Sequence, residues 1–218
     1  MEIGYGFGGG IFAEISNEAD TWVWDGASHN KYSVSAARKS IDLHFNAQFT
    51  RPTFWSALFP SKINIFLWRL RLNRLATKDN IARKGIELPH GNCIWCVSHE
   101  ETASHVFCAC DISRQIWCNI GSWINIFIPT WNSLDDFWIW FDSIQLNGKR
   151  LMVVRSIIFS TLWNIWRLRN SYIFNDKNFR IANVLDNIIV SSFFLLFSRY
   201  KKARINWSTW LQNPLESL

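Results

Sequence analysis

Apolar and polar positions recur with a helical period over most of the chain. The clearest case follows Pro60 and Ser61, where Ile63, Phe66, Leu67 and Leu70 fall at i, i+3, i+4 and i+7. That spacing is one face of an α-helix. Ile65, Trp68 and Leu72 lie elsewhere around the same helix, which predicts cover on more than one side. Thr77 is suited to cap a short second helix through Lys84, and Gly85 to stop it. Residues 113–120 read as a helix ended by Gly121, and L-D-D-F-W-I-W-F as a short aromatic helix. A long helix is predicted over 149–174, with Leu151, Val154, Ile158, Leu162, Ile165 and Trp166 as its stripe, and a last amphipathic helix over 181–203.

The N-terminal part follows a different period. T-W-V-W (21–24) and K-Y-S-V-S (31–35) alternate around the turn formers D-G-A-S-H-N, which predicts a β-hairpin. Ser33 or Ser35 then caps a helix through about residue 46, and Pro52 breaks the chain. The Gly-rich start reads as a loose leader. The organisation expected is a leader at 1–19, a first domain at 20–121 and a Trp-rich helical segment at 122–218.

Composition sharpens this picture in one respect. Of 218 residues, 14 are Trp and 17 are Phe, and 49% are hydrophobic against 18% charged. Disorder is thereby excluded, and broad packed aromatic faces are expected. The two most apolar stretches are 151–168, which contains Arg155 and Asn164, and 187–198. The first is interrupted and the second too short for the roughly 20 residues of a membrane span, so no membrane partner is expected. The N-terminus has neither the basic nor the apolar region of a signal peptide. An odd count of five Cys does not suit a disulfide scaffold. In the reducing compartment expected for this chain, clustered Cys and His point to metal.

Such a cluster is present: C-I-W-C at 93–96, Glu101, then H-V-F-C-A-C at 105–110. Zinc takes four tetrahedral thiolate and imidazole ligands, and a C-x2-C knuckle presents two of them to one ion. His105 and Cys110 have four residues between them and suit the second pair; His105 and Cys108 have two and suit it poorly. The ligand set read from the spacing is Cys93, Cys96, His105 and Cys110. Four protein ligands leave no open position, so the zinc is expected to be structural. His90 and His99 are close enough to compete, and ordinary buried thiols are the alternative. Cys108 and Cys118 are assigned to packing. The fold class expected is therefore mainly α, with a small N-terminal β-hairpin and a Cys3His zinc knuckle.

Charge is distributed unevenly. Lys62, Arg69, Arg71, Arg74, Lys78, Arg83 and Lys84 stand within 23 residues against a single acid, Asp79. Residues 85–148 hold only Arg114 against seven acids, and 149–218 are again basic. Clustered basic charge is the footprint of a polyanion site, and a solvated helix face is the plainer reading. The seven basic residues are the candidate nucleic-acid contacts, with RNA or DNA as a sequence-independent partner; for Arg71 and Arg74, which flank the apolar face of the helix, the alternative is pairing with acids such as Glu100 or Glu101. No phosphate loop, dinucleotide fingerprint or H-E-x-x-H is present, and no small-molecule substrate is expected.

These pieces together resemble the plant reverse-transcriptase zinc-binding domain, found after the polymerase in LINE-type retroelement proteins. D-T-W-V-W with K-Y-S-V-S-A-A-R is similar to the family's opening. F-W-S-A-L-F-P-S-K-I-N-I-F-L-W-R-L-R-L-N-R-L-A-T-K-D-N-I-A-R-K-G-I is similar to its most recognisable stretch. C-I-W-C, E-T, H-V-F and Cys110 resemble its metal segment, and W-N-I-W-R-L-R-N-S-Y-I-F the Trp-rich segment that follows. Ala76 stands in place of a usual Pro and Val106 in place of a usual Leu. The resemblance implies a zinc-binding module that helps hold template or target beside a reverse-transcriptase polymerase domain, in the nucleus. The paired carboxylates of a polymerase palm are missing, so no enzymatic activity is expected of the chain itself. The alternative expectation is a structural or protein-interaction remnant of a decayed retroelement.

Overall fold

The computed structural model describes residues 33, 36, 37, 40, 55–146, 148–174, 181–200 and 205–217. The expected leader lies outside the described residues, as does the β-hairpin apart from Ser33. The chain divides into two units, Met1–Thr53 and Phe54–Leu218. In the first, Ser33 Oγ accepts the Ala36 N–H (3.1 Å) and the Ser33 carbonyl accepts the Ala37 N–H (2.9 Å). Ser33 thus caps a helix in the manner expected, satisfying an N–H of the first turn.

The described part of the second unit is mainly helical. Its elements are α1 (Ser61–Arg71), α2 (Lys78–Ala82), a single π-helical turn (His105–Ala109), α3 (Asp111–Ile124), α4 (Leu134–Ser143), α5 (Gly148–Ile173), a 3-10 turn (Ile181–Asn183), α6 (Val184–Arg199) and α7 (Trp207–Gln212). Among the described residues, extended pairing is limited to one antiparallel bridge, Asn92 with Glu100.

The predicted face of α1 is buried, but Ile65 is exposed. The second covered side is instead polar. Asn64 is buried, donating to the Ser56 and Phe59 carbonyls and accepting from Ser56 N–H, which fastens the preceding turn to the helix. α3 does not stop at Gly121 but runs to Ile124, where Asn125 adopts a left-handed conformation (φ 52°). Gly121 serves a different purpose. A Cβ there would stand 3.0 Å from the Ile126 carbonyl oxygen, so its absence lets the returning chain cross close to the helix. α6 begins and ends inside the predicted 181–203. α7 was not expected; Asn206 caps it by accepting from Ser208 and Thr209 N–H.

The Trp and Phe residues explain the core. α5 packs against α1, α3, α6 and the π-helical turn. Phe66 of α1 meets Phe107 of the π-helical turn and Trp163 and Trp166 of α5. Phe159 joins Phe59 to Phe141, and Trp117 contacts Trp131 and Phe137. Trp210 of α7 is fully buried against Trp123 and Phe193. Edge-on ring pairs contribute about 0.5–1.5 kcal/mol each beyond their area. Two of the buried indole N–H groups find carbonyls: Trp117 Nε1 donates to that of Phe107 and Trp210 Nε1 to that of Ile189. No helix among the described residues is long and apolar enough to cross a membrane.

Candidate metal centre and basic groove

Cys93, Cys96, His105 and Cys110 converge, their ligand atoms all within 4.8 Å of one another. Cys93 Sγ is 4.0 Å from Cys110 Sγ, and Cys96 Sγ is 3.2 Å from His105 Nε2. Tetrahedral donors about 2.3 Å from one ion stand roughly 3.8 Å apart, so the donor set fits a single metal ion.

Local backbone chemistry builds the site. Between Cys93 and Cys96 the chain makes a tight knuckle closed by Val97 N–H to the Cys93 carbonyl (3.0 Å), with Val97 at φ 58°. Asn92 Nδ2 donates to the Val97 carbonyl and Cys93 N–H to that of His99, so the loop is braced on both sides. The second pair depends on the π-helical turn. Cys110 N–H donates five residues back to the His105 carbonyl (2.8 Å). In an α-helix, five residues turn about 140° past a full circle; the wider turn brings both ligands to one side. Cys110 then occupies the N-cap position of α3, where the helix dipole favours a thiolate.

The sulfurs are electrostatically prepared. Hydrogen bonding from Cys110 holds the Cys93 thiol down at about 4 against the opposing effect of burial, aided by the Cys96 and Trp95 N–H groups. Cys110 is correspondingly pushed well above the ordinary thiol range by Cys93 and by burial. A cation bound between the two sulfurs would take the place of the hydrogen bond they share. Cys108 is different. It points into the core, where burial, with Asp136 adding, pushes it up to about 12. Cys118 is exposed on α3. His99 stands outside the four-residue group but stacks on His105 (5.2 Å) with Nδ1 3.8 Å from Cys96 Sγ.

One residue that spacing alone could not place is Glu101. It is fully buried, pairs with Arg169 of α5 and accepts the Lys78 N–H (3.1 Å) at the start of α2. Glu101 therefore caps α2 from across the fold. Thr77 occupies the N-cap position, but its hydroxyl donates to Asp79 instead.

Residues 32–117 match the family described as zinc-binding in reverse transcriptase. The match includes all four ligands and ends inside α3. No curated protein and no solved structure matches the chain significantly.

The basic residues of this segment take different positions. Arg71 is buried, ion-paired with Asp142 (3.2 Å) and seated over Trp138 (4.9 Å). Its guanidinium is committed to the fold, in an acid pairing of the kind that was the alternative for this residue, with Asp142 as the partner. Lys78 is half-buried with Nζ on the Asn92 carbonyl (2.7 Å), linking α2 to the knuckle. Lys62 lies 5.9 Å from the Trp163 ring. Arg69, Arg74, Arg83 and Lys84 line a common groove of about 570 Å³ between α1 and α2, together with Trp68. The acid pair Asp135–Asp136 opens α4: Asp136 N–H donates to Ser133 Oγ, which donates back to the Asp136 carboxylate, a helix-capping arrangement.

Proposed function

We propose that the chain is a zinc-stabilised, sequence-independent nucleic-acid-binding module that acts beside a reverse-transcriptase polymerase domain and has no polymerase activity of its own. The observation that carries this reading is the convergence of Arg69, Arg74, Arg83 and Lys84 on one groove with no acid in its lining. Zinc on Cys93, Cys96, His105 and Cys110 would hold the knuckle, and through Lys78 and Glu101 the knuckle supports α2. A closed four-ligand site supplies folding energy rather than bond chemistry. The family resemblance adds the nucleus as the compartment we propose for this role.

The test is binding by the zinc-loaded full chain to labelled oligonucleotides of unrelated sequence over a salt series. Each phosphate neutralised contributes about 0.7–0.9 to the log–log slope. Replacing Arg69, Arg74 and Lys84 together by Gln should flatten the slope by roughly two to three units. Wild-type binding without salt dependence would contradict the reading.

A second reading has its own observation. Val190, Phe194 and Phe197 recur at i, i+4 and i+7 on α6 and are 40%, 59% and 59% exposed. A docking face that has lost its partner would look like this. It predicts self-association that salt does not weaken.

A further inference from the structure

We propose that the groove between α1 and α2 holds one unpaired nucleotide of a single strand, with its base against Trp68 and its flanking phosphates on Arg69, Arg74, Arg83 and Lys84. This rests on the nucleic-acid reading above and specifies what is recognised. The surface is concave, and its volume of about 570 Å³ falls within the range of sites that enclose small organic groups. Duplexes are read the opposite way, by protein elements that protrude into a groove. A cavity with an aromatic wall and a cationic rim suits a base splayed out of a strand.

The groove is also built in advance. Asn80 is buried, and its Nδ2 donates to the Asn73 carbonyl (2.9 Å), Asn73 Oδ1 (3.1 Å) and the Leu75 carbonyl (3.0 Å). These bonds fix the turn between the helices, where Asn73 has φ 49°. Arg83 is aimed by two contacts from behind, the buried Asp79 carboxylate (3.2 Å) and Asn80 Oδ1 (3.3 Å), while its own side chain stays 64% exposed. Fixing the donors before the ligand arrives reduces the ordering cost of binding. The phosphate chemistry is shared by a strand and a free nucleotide; the presence of three further cations along the rim favours a strand.

The experiment uses the zinc-loaded full chain. Fluorescence anisotropy is read with a short single-stranded oligouridylate, its deoxy counterpart, a duplex of the same length, and UMP as competitor. Trp68→Ala should weaken single-strand binding about tenfold with duplex affinity and salt slope unchanged, and Trp68→Phe should restore most of the loss. Because Trp68→Ala could also disturb α1, a second measurement leaves the protein intact: a strand carrying 5-iodouridine is photo-cross-linked to wild-type chain. The adduct is expected on the peptide containing Trp68. An adduct confined to 149–204, equal loss of single-strand and duplex binding in Trp68→Ala, or competition by UMP as strong as by the strand would overturn the proposal. Those results leave the broader reading standing; failure to bind any nucleic acid removes both.

Discussion

Glu101 and Arg169 form a buried ion pair across 68 residues of sequence, joining the metal segment to α5. Both side chains are nearly inaccessible, and Arg169 also lies over the Trp166 ring (4.9 Å). Removing one partner leaves a buried charge unmatched, which costs about 3–5 kcal/mol. Arg169→Met should therefore destabilise the metal-loaded protein by that amount in urea unfolding. Combining it with Glu101→Met should recover part of the loss. An Arg169→Met variant as stable as wild type would contradict the structural importance of the pair.

The metal site discriminates between two cysteines two residues apart. Cys110→Ser should abolish stoichiometric metal binding, whereas Cys108→Ala should retain about one equivalent and lose about 1 kcal/mol of stability by opening a small void. Elemental analysis of both proteins, purified without chelator, checks this. Metal lost from Cys108→Ala but kept in Cys110→Ser would reassign the fourth ligand.

Chelation should be felt beyond the ligands. Lys78 Nζ on the Asn92 carbonyl and Glu101 on the Lys78 N–H connect the knuckle to α2. Metal removal should raise amide hydrogen exchange over 78–82 and 92–110 together, while Ile157, Ile158 and Leu162 of α5 stay protected. Exchange confined to 93–96 would show that the knuckle is isolated.

Gly121→Ala tests the close crossing beside α3. The added methyl would stand 3.0 Å from a backbone oxygen, which no side-chain rotation can relieve. A loss of about 1–3 kcal/mol is expected, despite the better helix propensity of Ala. A gain in thermal stability would show that the returning chain yields freely.

Arg71 and Arg74 are three residues apart and should behave oppositely. Arg71→Ala should lower stability by about 1–3 kcal/mol and leave the salt slope of nucleic-acid binding alone. Arg74→Ala should leave stability within about 0.5 kcal/mol and reduce the slope by roughly 0.7–0.9. Denaturation and a salt titration on each variant decide the matter.

Much of this was legible from residue order because it depends on local spacing. The i, i+3, i+4, i+7 face of α1, the Ser33 cap and the ligand pattern C-x2-C-x8-H-x4-C are all short-range statements. The spacing selected Cys110 over Cys108, and the structure converges on the same four residues. What remained hidden depends on contacts distant in sequence. Gly121 carries the composition of a helix stop, yet its role is set by Ile126 and Ile128 lying against it. Thr77 looked like the side-chain cap of α2, but the capping oxygen comes from Glu101. For Arg71 an acid partner was an open alternative, but its identity was not legible: α4 supplies Asp142 and the Trp138 ring. α7 escaped because six residues give too few periodic positions, although Asn206 before W-S-T-W was an available cap signal.

α5 contributes no metal ligand and no groove residue, yet its buried row from Val153 to Leu168 is what α1, α3, α6 and the π-helical turn rest upon. Damage can therefore enter from a distance. A substitution at Ile158 or Ile165 would leave every donor atom and every groove cation chemically intact and still scatter them. In a saturation library scored for metal retention, the least tolerant positions outside the four ligands should cluster in a helix that lies wholly beyond the family's matched span.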